Sequence, residues 1–251
     1  MVAGLQDISA LAAVLAAPFF GSFALLLAHR WPWDAGVAFG RSRCDGCGEG
    51  LDAAALAPVI GWAMLGGRAR CCGAPLSPAY PLAEIAALGL ALWAAALTSG
   101  PILLASAVLG WALLALALID LRTMTLPDVL TLPLVAAGLG LSLAGLTGDP
   151  AAHALGAALG YGSVRAAATL WRTLRGVEGV GMGDAKLLAA AGAWVGVGGL
   201  SSVMLWACGV GLVWAAVAAA RGGDWRGPTP FGPALATGFW MTWLHGPVAP
   251  F

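Results

Sequence analysis

Eight long apolar stretches, separated by short polar breaks, decide what this chain can fold into. They fall near residues 10–29, 82–99, 102–120, 129–146, 151–171, 185–199, 201–220 and 231–246. The hydrocarbon core of a bilayer takes ~20 apolar residues of helix to cross. Each stretch is near that length, so the sequence predicts an all-α polytopic membrane protein with about eight transmembrane helices. Charged residues make up only 10% of the chain, against about 25% in a soluble domain. The net charge is zero, but its distribution is uneven. All the lysines and arginines fall in or beside four regions: Arg30 to Arg70, Arg122, Arg165 to Lys186, and Arg221 with Arg226. The breaks at Met1–Ser9, Thr98–Pro101, Thr147–Pro150, Gly196–Ser202 and His245–Phe251 carry none. Basic and non-basic breaks alternate, so the positive-inside rule puts the basic ones in the cytoplasm and both ends of the chain outside.

Nothing positive precedes the first stretch and no small-residue cleavage site precedes "HRWP", so it reads as a retained span, not a signal peptide. The twelve tryptophans read as interfacial anchors and packing, and the many glycines and alanines suit close helix contact in lipid. No internal repeat at a fixed period is evident. The expected organisation is a first helix over 1–29, a cytoplasmic cysteine-containing subdomain over 30–81, and a seven-helix membrane domain over 82–251. Nucleic acid is excluded as a partner for such a chain; the bilayer is the obligatory one.

The insertion holds five arginines and four of the five cysteines. About fifty residues make a small core, for which metals or other staples are a common remedy. In the cytoplasm, clustered thiols favour metal over disulfide. Cys44 and Cys47 form a CxxC pair, the spacing that lets two thiolates face one zinc ion. Cys71 and Cys72 are adjacent, and adjacent residues normally direct their side chains apart. A four-cysteine site would take both Cys71 and Cys72 and would need an unusual local turn at Cys71; three thiolates with another group, or an empty reduced cluster, are the alternatives.

Ionisable residues at membrane helix ends are costly and point to function. Asp120 directly follows "GWALLALALI", where a helix is ending, and an acid there opposes the helix macrodipole. Asp128, in "LPDVLTLP", has the place of a helix N-cap. Asp184, in "GVGMGDAKLL", follows glycines that permit close backbone approach or simply break the helix; it too has a cap reading. All three acids face one side. If Asp120 and Asp184 meet, they can share a proton: the ionised carboxylate takes a proton from water while the protonated one polarises a carbonyl, as in aspartic proteases. The competing reading is a proton relay in a coupled transporter, against which stands the position of the acids away from the bilayer midplane. Of the histidines, His153 and His245 lie on the opposite side and His29 at a helix end, so nucleophile–histidine schemes find little support. Arg165, inside the fifth stretch, either snorkels toward the cytoplasm or partners a carboxylate.

The segments "DLRTMTLPDVLTLPL" (Asp120–Leu134) and "EGVGMGDAKLLAAAGAWVG" (Glu178–Gly196) resemble the two signature segments of the type IV prepilin leader peptidases. "GSFALLLAHRWP", "YPLAE" and "PFGPALATG" also resemble family segments, in the family's order. The resemblance implies a bifunctional bacterial inner-membrane enzyme. It would cleave the leader of prepilins and pseudopilins at the cytoplasmic face and then N-methylate the new amino terminus with S-adenosylmethionine. Asp120 and Asp184 would be the catalytic pair, Asp184 within the GxGD motif of Gly181, Met182, Gly183 and Asp184. Lys186, Asp128 and Glu178 would support them, and no cofactor would be needed for proteolysis. The departures lie in and near the insertion. Leu25 stands where the family usually has asparagine, and Ala55 and Leu56 stand where it usually has Asp-Asn. The second cysteine pair, usually CxxC, has Ala69 in place of a thiol and an extra thiol at Cys71.

Overall fold

The computed structural model describes residues 2–32, 43–44, 46–52, 56–176, 181–222 and 229–248, with side chains from residue 8 onward. It is helical, with no named strand among the described residues. The elements are α1 (Val2–Arg30), α2 (Ile60–Met64), α3 (Ala79–Leu97), α4 (Gly100–Thr123), α5 (Asp128–Leu143), α6 (Pro150–Arg175), α7 (Met182–Ala220) and α8 (Gly232–His245). Four helical segments are long and apolar enough to cross a membrane: Ile8–Arg30, α3, α4 and α7. Of the other stretches, α5 and α8 are about 24 and 21 Å long at 1.5 Å per residue, shorter than the ~30 Å hydrocarbon core. The last, α6, carries Arg165, Arg172 and Arg175 on an otherwise apolar helix. The two stretches expected at 185–199 and 201–220 are two helices that run on from one another as α7, parted by a kink at Gly196, whose backbone is not helical (φ 70°, ψ 177°).

The chain forms two compact units, Met1–Leu118 and Ile119–Phe251. In the first, α1 packs on α3 through small residues. Ala13, Ala17, Ala87, Ala91 and Ala107 are buried around Trp111, whose ring stacks on Phe20 at 4.2 Å and whose Nε1 donates to Ala87 O. At Gly21 a Cβ would run into the backbone of Ala83 and Glu84, so only glycine allows this approach. Val59 N, in the insertion, donates to Glu84 Oε2 of α3 at 2.6 Å. Glu84 is buried, and Val59 takes a positive φ of 59°.

In the second unit, α7 is the hub and contacts α5, α6 and α8. Asp149 caps α6 by accepting from Ala152 N, with Pro150 opening the helix and a left-handed Gly176 closing it. Its buried face, His153, Gly156 and Gly160, recurs at helical spacing and lies on α7. His153 Nδ1 lies 2.9 Å from Ala193 O. Gly156 and Gly192 meet backbone to backbone: a Cβ on Gly192 would fall onto the Gly156 carbonyl. Gly192→Ala is therefore expected to cost about 1–3 kcal/mol, the usual range for overpacking. Thermal unfolding in detergent checks this, with Gly198→Ala, whose surroundings are open, as the neutral control.

Candidate active site and cysteine cluster

Asp120 lies in the last turn of α4 and is 5% exposed. Met124 N donates to its carbonyl at 2.9 Å, and Met124 then turns the chain through a positive φ of 52°. The carboxylate faces away from its own helix end: Asp120 Oδ2 accepts from Gly232 N, at the start of α8, at 2.8 Å. This resolves the electrostatic oddity of the sequence. An acid set against the negative end of α4 receives the positive end of α8. The sequence reading missed Gly232 as a site residue. The signal was present in "PFGP", where Pro233 marks the opening of a helix.

Asp184 lies in the first turn of α7, whose N-cap position is Gly181, with no side chain capping it. Gly183 touches the α4–α5 loop: a Cβ there would come within 2.8 Å of Leu126 Cβ. The glycine before Asp184 thus brings that loop and α7 together. Asp120 and Asp184 line one cavity of about 790 Å³, and Gly181, Gly183 and Lys186 line it as well. Most of the remaining lining is apolar, including Met124, Leu126, Leu188, Met204, Phe231 and Leu235. Leu188 and Met204 would be about 24 Å apart along an unbroken helix. Both reach this cavity because the chain changes direction at Gly196.

The expected cap at Asp128 is absent. Pro127 holds the N-cap position of α5, with no side-chain cap bond, and Asp128 Oδ1 instead accepts from Lys186 Nζ. This pair joins the starts of α5 and α7 and is partly solvated, with the lysine side chain 25% and the aspartate 56% exposed. Arg165 is exposed and donates to Met182 Sδ, inside the GxGD segment. Glu178 lies outside the described residues.

In the first unit the four insertion cysteines converge. Their sulfurs all lie within 4.8 Å of one another: Cys44 to Cys72 is 3.5 Å, Cys47 to Cys71 is 3.3 Å, and Cys71 to Cys72 is 3.9 Å. Zinc–sulfur bonds of about 2.3 Å in a tetrahedron imply sulfurs about 3.8 Å apart, so the set fits a zinc ion. The local turn that Cys71 requires is present, and it is a copy of the turn around Cys44. In the first, Arg43 pairs with Gly50, Cys44 N donates to Glu49 O, Gly48 N donates to Cys44 O, and Gly48 has φ 74°. In the second, Arg68 pairs with Pro75, Ala69 N donates to Ala74 O, Gly73 N donates to Ala69 O, and Gly73 has φ 71°. Ala69 thus occupies the place of Cys44, Cys72 that of Cys47, and Cys71 that of Gly46. A Cβ on Gly46 would point at the cluster, 3.2 Å from Cys72 Sγ and 3.8 Å from Cys44 Sγ. The position equivalent to Cys71 therefore faces inward. Backbone N–H groups of Cys47 and Gly46 hold the Cys44 thiol down to about 7, whereas its hydrogen bond with Cys47 pushes Cys71 up to about 12.

A second cavity in this unit, about 350 Å³, is lined by Arg30, Arg43, Trp62, Tyr80 and Glu84, among others.

The profile of the Type IV leader peptidase family matches residues 107–216, and that of the bacterial peptidase A24 N-terminal domain matches residues 15–98. A protein from Burkholderia pseudomallei named prepilin leader peptidase/N-methyltransferase is 44% identical over 214 residues, covering 82% of this chain and 67% of its own. The chain belongs to the type IV leader peptidase family. As a leader peptidase it is an enzyme, and the transporter reading of its acids falls. Relatives of the same name in Dichelobacter nodosus (37% over 206 residues, 82% of this chain and 71% of theirs) and Klebsiella pneumoniae (41% over 193 residues, 74% and 85%) agree with this leader peptidase assignment. No solved structure matches the chain.

Proposed function

We propose that this chain is an aspartyl endopeptidase of the bacterial inner membrane that removes the leader of prepilins and pseudopilins at the cytoplasmic face. The observation that carries this reading is that Asp120 and Asp184, from the two signature segments, line one cavity. Charge placement supports a topology of eight crossings with the basic segments inside, α7 contributing two crossings on either side of Gly196. The ends of the given chain then lie on the periplasmic side.

The chemistry needs only water and the two carboxylates. One carboxylate takes a proton from water as the water oxygen bonds to the scissile carbonyl carbon. The other, protonated, gives its proton to the carbonyl oxygen. When the tetrahedral intermediate collapses, the carbon–nitrogen bond breaks and the first carboxylate returns its proton to the leaving nitrogen. The second recovers the hydroxyl proton as the new carboxyl forms. Apolar lining from Met124, Leu126, Leu188, Met204 and Phe231 suits a substrate that is itself a membrane helix.

The relatives' names also include methyl transfer, and the cavity beside the cysteine cluster has the residues for its donor. Its volume falls within the ~300–1,000 Å³ of small-molecule sites. Trp62 and Tyr80 offer aromatic faces for an adenine, Arg30 and Arg43 suit a carboxylate, and the buried Glu84 suits a sulfonium. S-adenosylmethionine would supply the methyl group for the amine exposed by cleavage. Zinc held by Cys44, Cys47, Cys71 and Cys72 would staple the insertion that forms this cavity.

One experiment tests both activities. Purified protein is incubated with a prepilin, with and without S-adenosylmethionine, and the products are weighed intact. Loss of the leader mass is expected in both samples, with one added methyl group when the donor is present. An uncleaved prepilin would overturn the peptidase reading. A cleaved but unmethylated one would leave a peptidase whose insertion is structural.

A further inference from the structure

We infer that Gly232 is a positioning residue of the peptidase site, anchoring Asp120 Oδ2 through its backbone N–H so that Oδ1 is the oxygen presented to the reacting water. The inference rests on the reading of Asp120 and Asp184 as the catalytic pair and deepens it.

Three features of the second unit carry it. The bond from Gly232 N to Asp120 Oδ2 is 2.8 Å and buried. It comes from the first turn of α8, whose opening N–H groups have no partner within their own helix. Asp120 is thus held by a group that a helix start would otherwise leave unsatisfied. The fit is also closed sterically. A Cβ built on Gly232 would lie 2.6 Å from Asp120 Oδ2, 2.8 Å from Cγ and 3.0 Å from Cβ. Any side chain here pushes the carboxylate out of place, although φ at Gly232 does not itself demand glycine. Finally, Asp120 is only 5% exposed and lines the cavity that Asp184 also lines, so a carboxylate moved by a side chain at Gly232 moves within the site itself. Asp184 has a different setting, on the first turn of α7, where a Cβ built on Gly181 would meet its Oδ2 only at 3.4 Å, an ordinary van der Waals contact.

Anchoring one oxygen divides the work within a single carboxylate. Oδ2 carries the structural bond and Oδ1 handles the proton. A displacement of the carboxylate by about 1 Å is enough to cost on the order of 10²-fold in rate.

Gly232→Ala is the test, with kcat and KM measured on a prepilin and normalised to folded enzyme. The expected result is a kcat lower by about 10²-fold with KM within about twofold, since the substrate-binding walls are untouched. Gly238→Ala is the structural control, because its Cβ would strike Val203 and Ala207 and not Asp120. It is expected to lower thermal stability while leaving kcat per folded molecule near the wild-type value. If Gly232→Ala behaves like Gly238→Ala, the inference is overturned while the catalytic pair stands. If Asp120→Asn cleaves at the wild-type rate, both the catalytic reading and this inference fail. A stability cycle gives a readout free of activity. The thermal penalty of Gly232→Ala is expected to shrink in an Asp120→Ala background, where the carboxylate is gone. An equal penalty in both backgrounds would overturn the contact.

Discussion

Asp120→Asn and Asp184→Asn will each reduce leader cleavage by about 10²–10⁴-fold, the usual contribution of a positioned general acid or base. The substitutions keep shape and remove the ionisable carboxyl that gives and takes the proton. Asp120→Asn retains an oxygen able to accept from Gly232 N, so the protein should fold and its thermal stability should change little. The expected signature is a fall in kcat with KM unchanged, measured by mobility shift of a purified prepilin over a substrate series. Asp128→Asn serves as the contrast. Its ion pair with Lys186 is partly solvated, and such pairs contribute about 0–1 kcal/mol, so its effect should stay below about tenfold. A wild-type rate for either Asp120→Asn or Asp184→Asn would remove the aspartyl mechanism. An Asp128→Asn defect as deep as theirs would place that carboxylate among the reacting groups.

The second large effect concerns the metal. Cys71→Ser is expected to remove stoichiometric zinc from purified protein as fully as Cys44→Ser or Cys72→Ser does, because all four sulfurs lie within 4.8 Å of one another. Structural zinc contributes on the order of 10 kcal/mol or more to folding of small domains. The insertion should therefore become protease-sensitive in each variant, and chelation of the wild type should reproduce the change. Elemental analysis and limited proteolysis together check this. Full zinc retention in Cys71→Ser would show a three-thiolate site completed by another group. No zinc in the wild-type protein would show that the thiols form a reduced, hydrogen-bonded cluster.

Much of the membrane architecture was legible because lipid imposes a simple rule on the sequence. Long apolar runs give α1, α3, α4 and α7, and the polar breaks mark their ends. The same rule says less about α5, α6 and α8. Short helices and the arginines of α6 blur the hydropathy signal there. The pair Asp120 and Asp184 was legible because acids at helix ends are costly in a chain this apolar. Its geometry was not, since it depends on Gly232, more than a hundred residues away in the chain, and on the break at Gly196. Asp128 looked like a cap, as a residue of its type before an apolar run usually is. The lysine that claims its side chain, Lys186, belongs to a helix that local spacing cannot bring near. The paired turns of the insertion escaped detection as a repeat because they share a backbone course and few side chains. Arginine, one cysteine and one glycine are common to both, while the remaining positions differ.

That shared course means each turn offers, besides the seat that Cys47 and Cys72 fill, two further inward seats for a sulfur, the one filled by Cys44 in the first turn and the one filled by Cys71 in the second. A ligand can then be transposed within a turn without redrawing the loop. Ala69→Cys combined with Cys71→Gly would move the thiol back to the other seat. The number of sulfurs around the centre would be conserved while the familiar spacing changes. A spacing pattern in the sequence is therefore a poorer guide to whether such a centre survives than the count of seats its loops can fill.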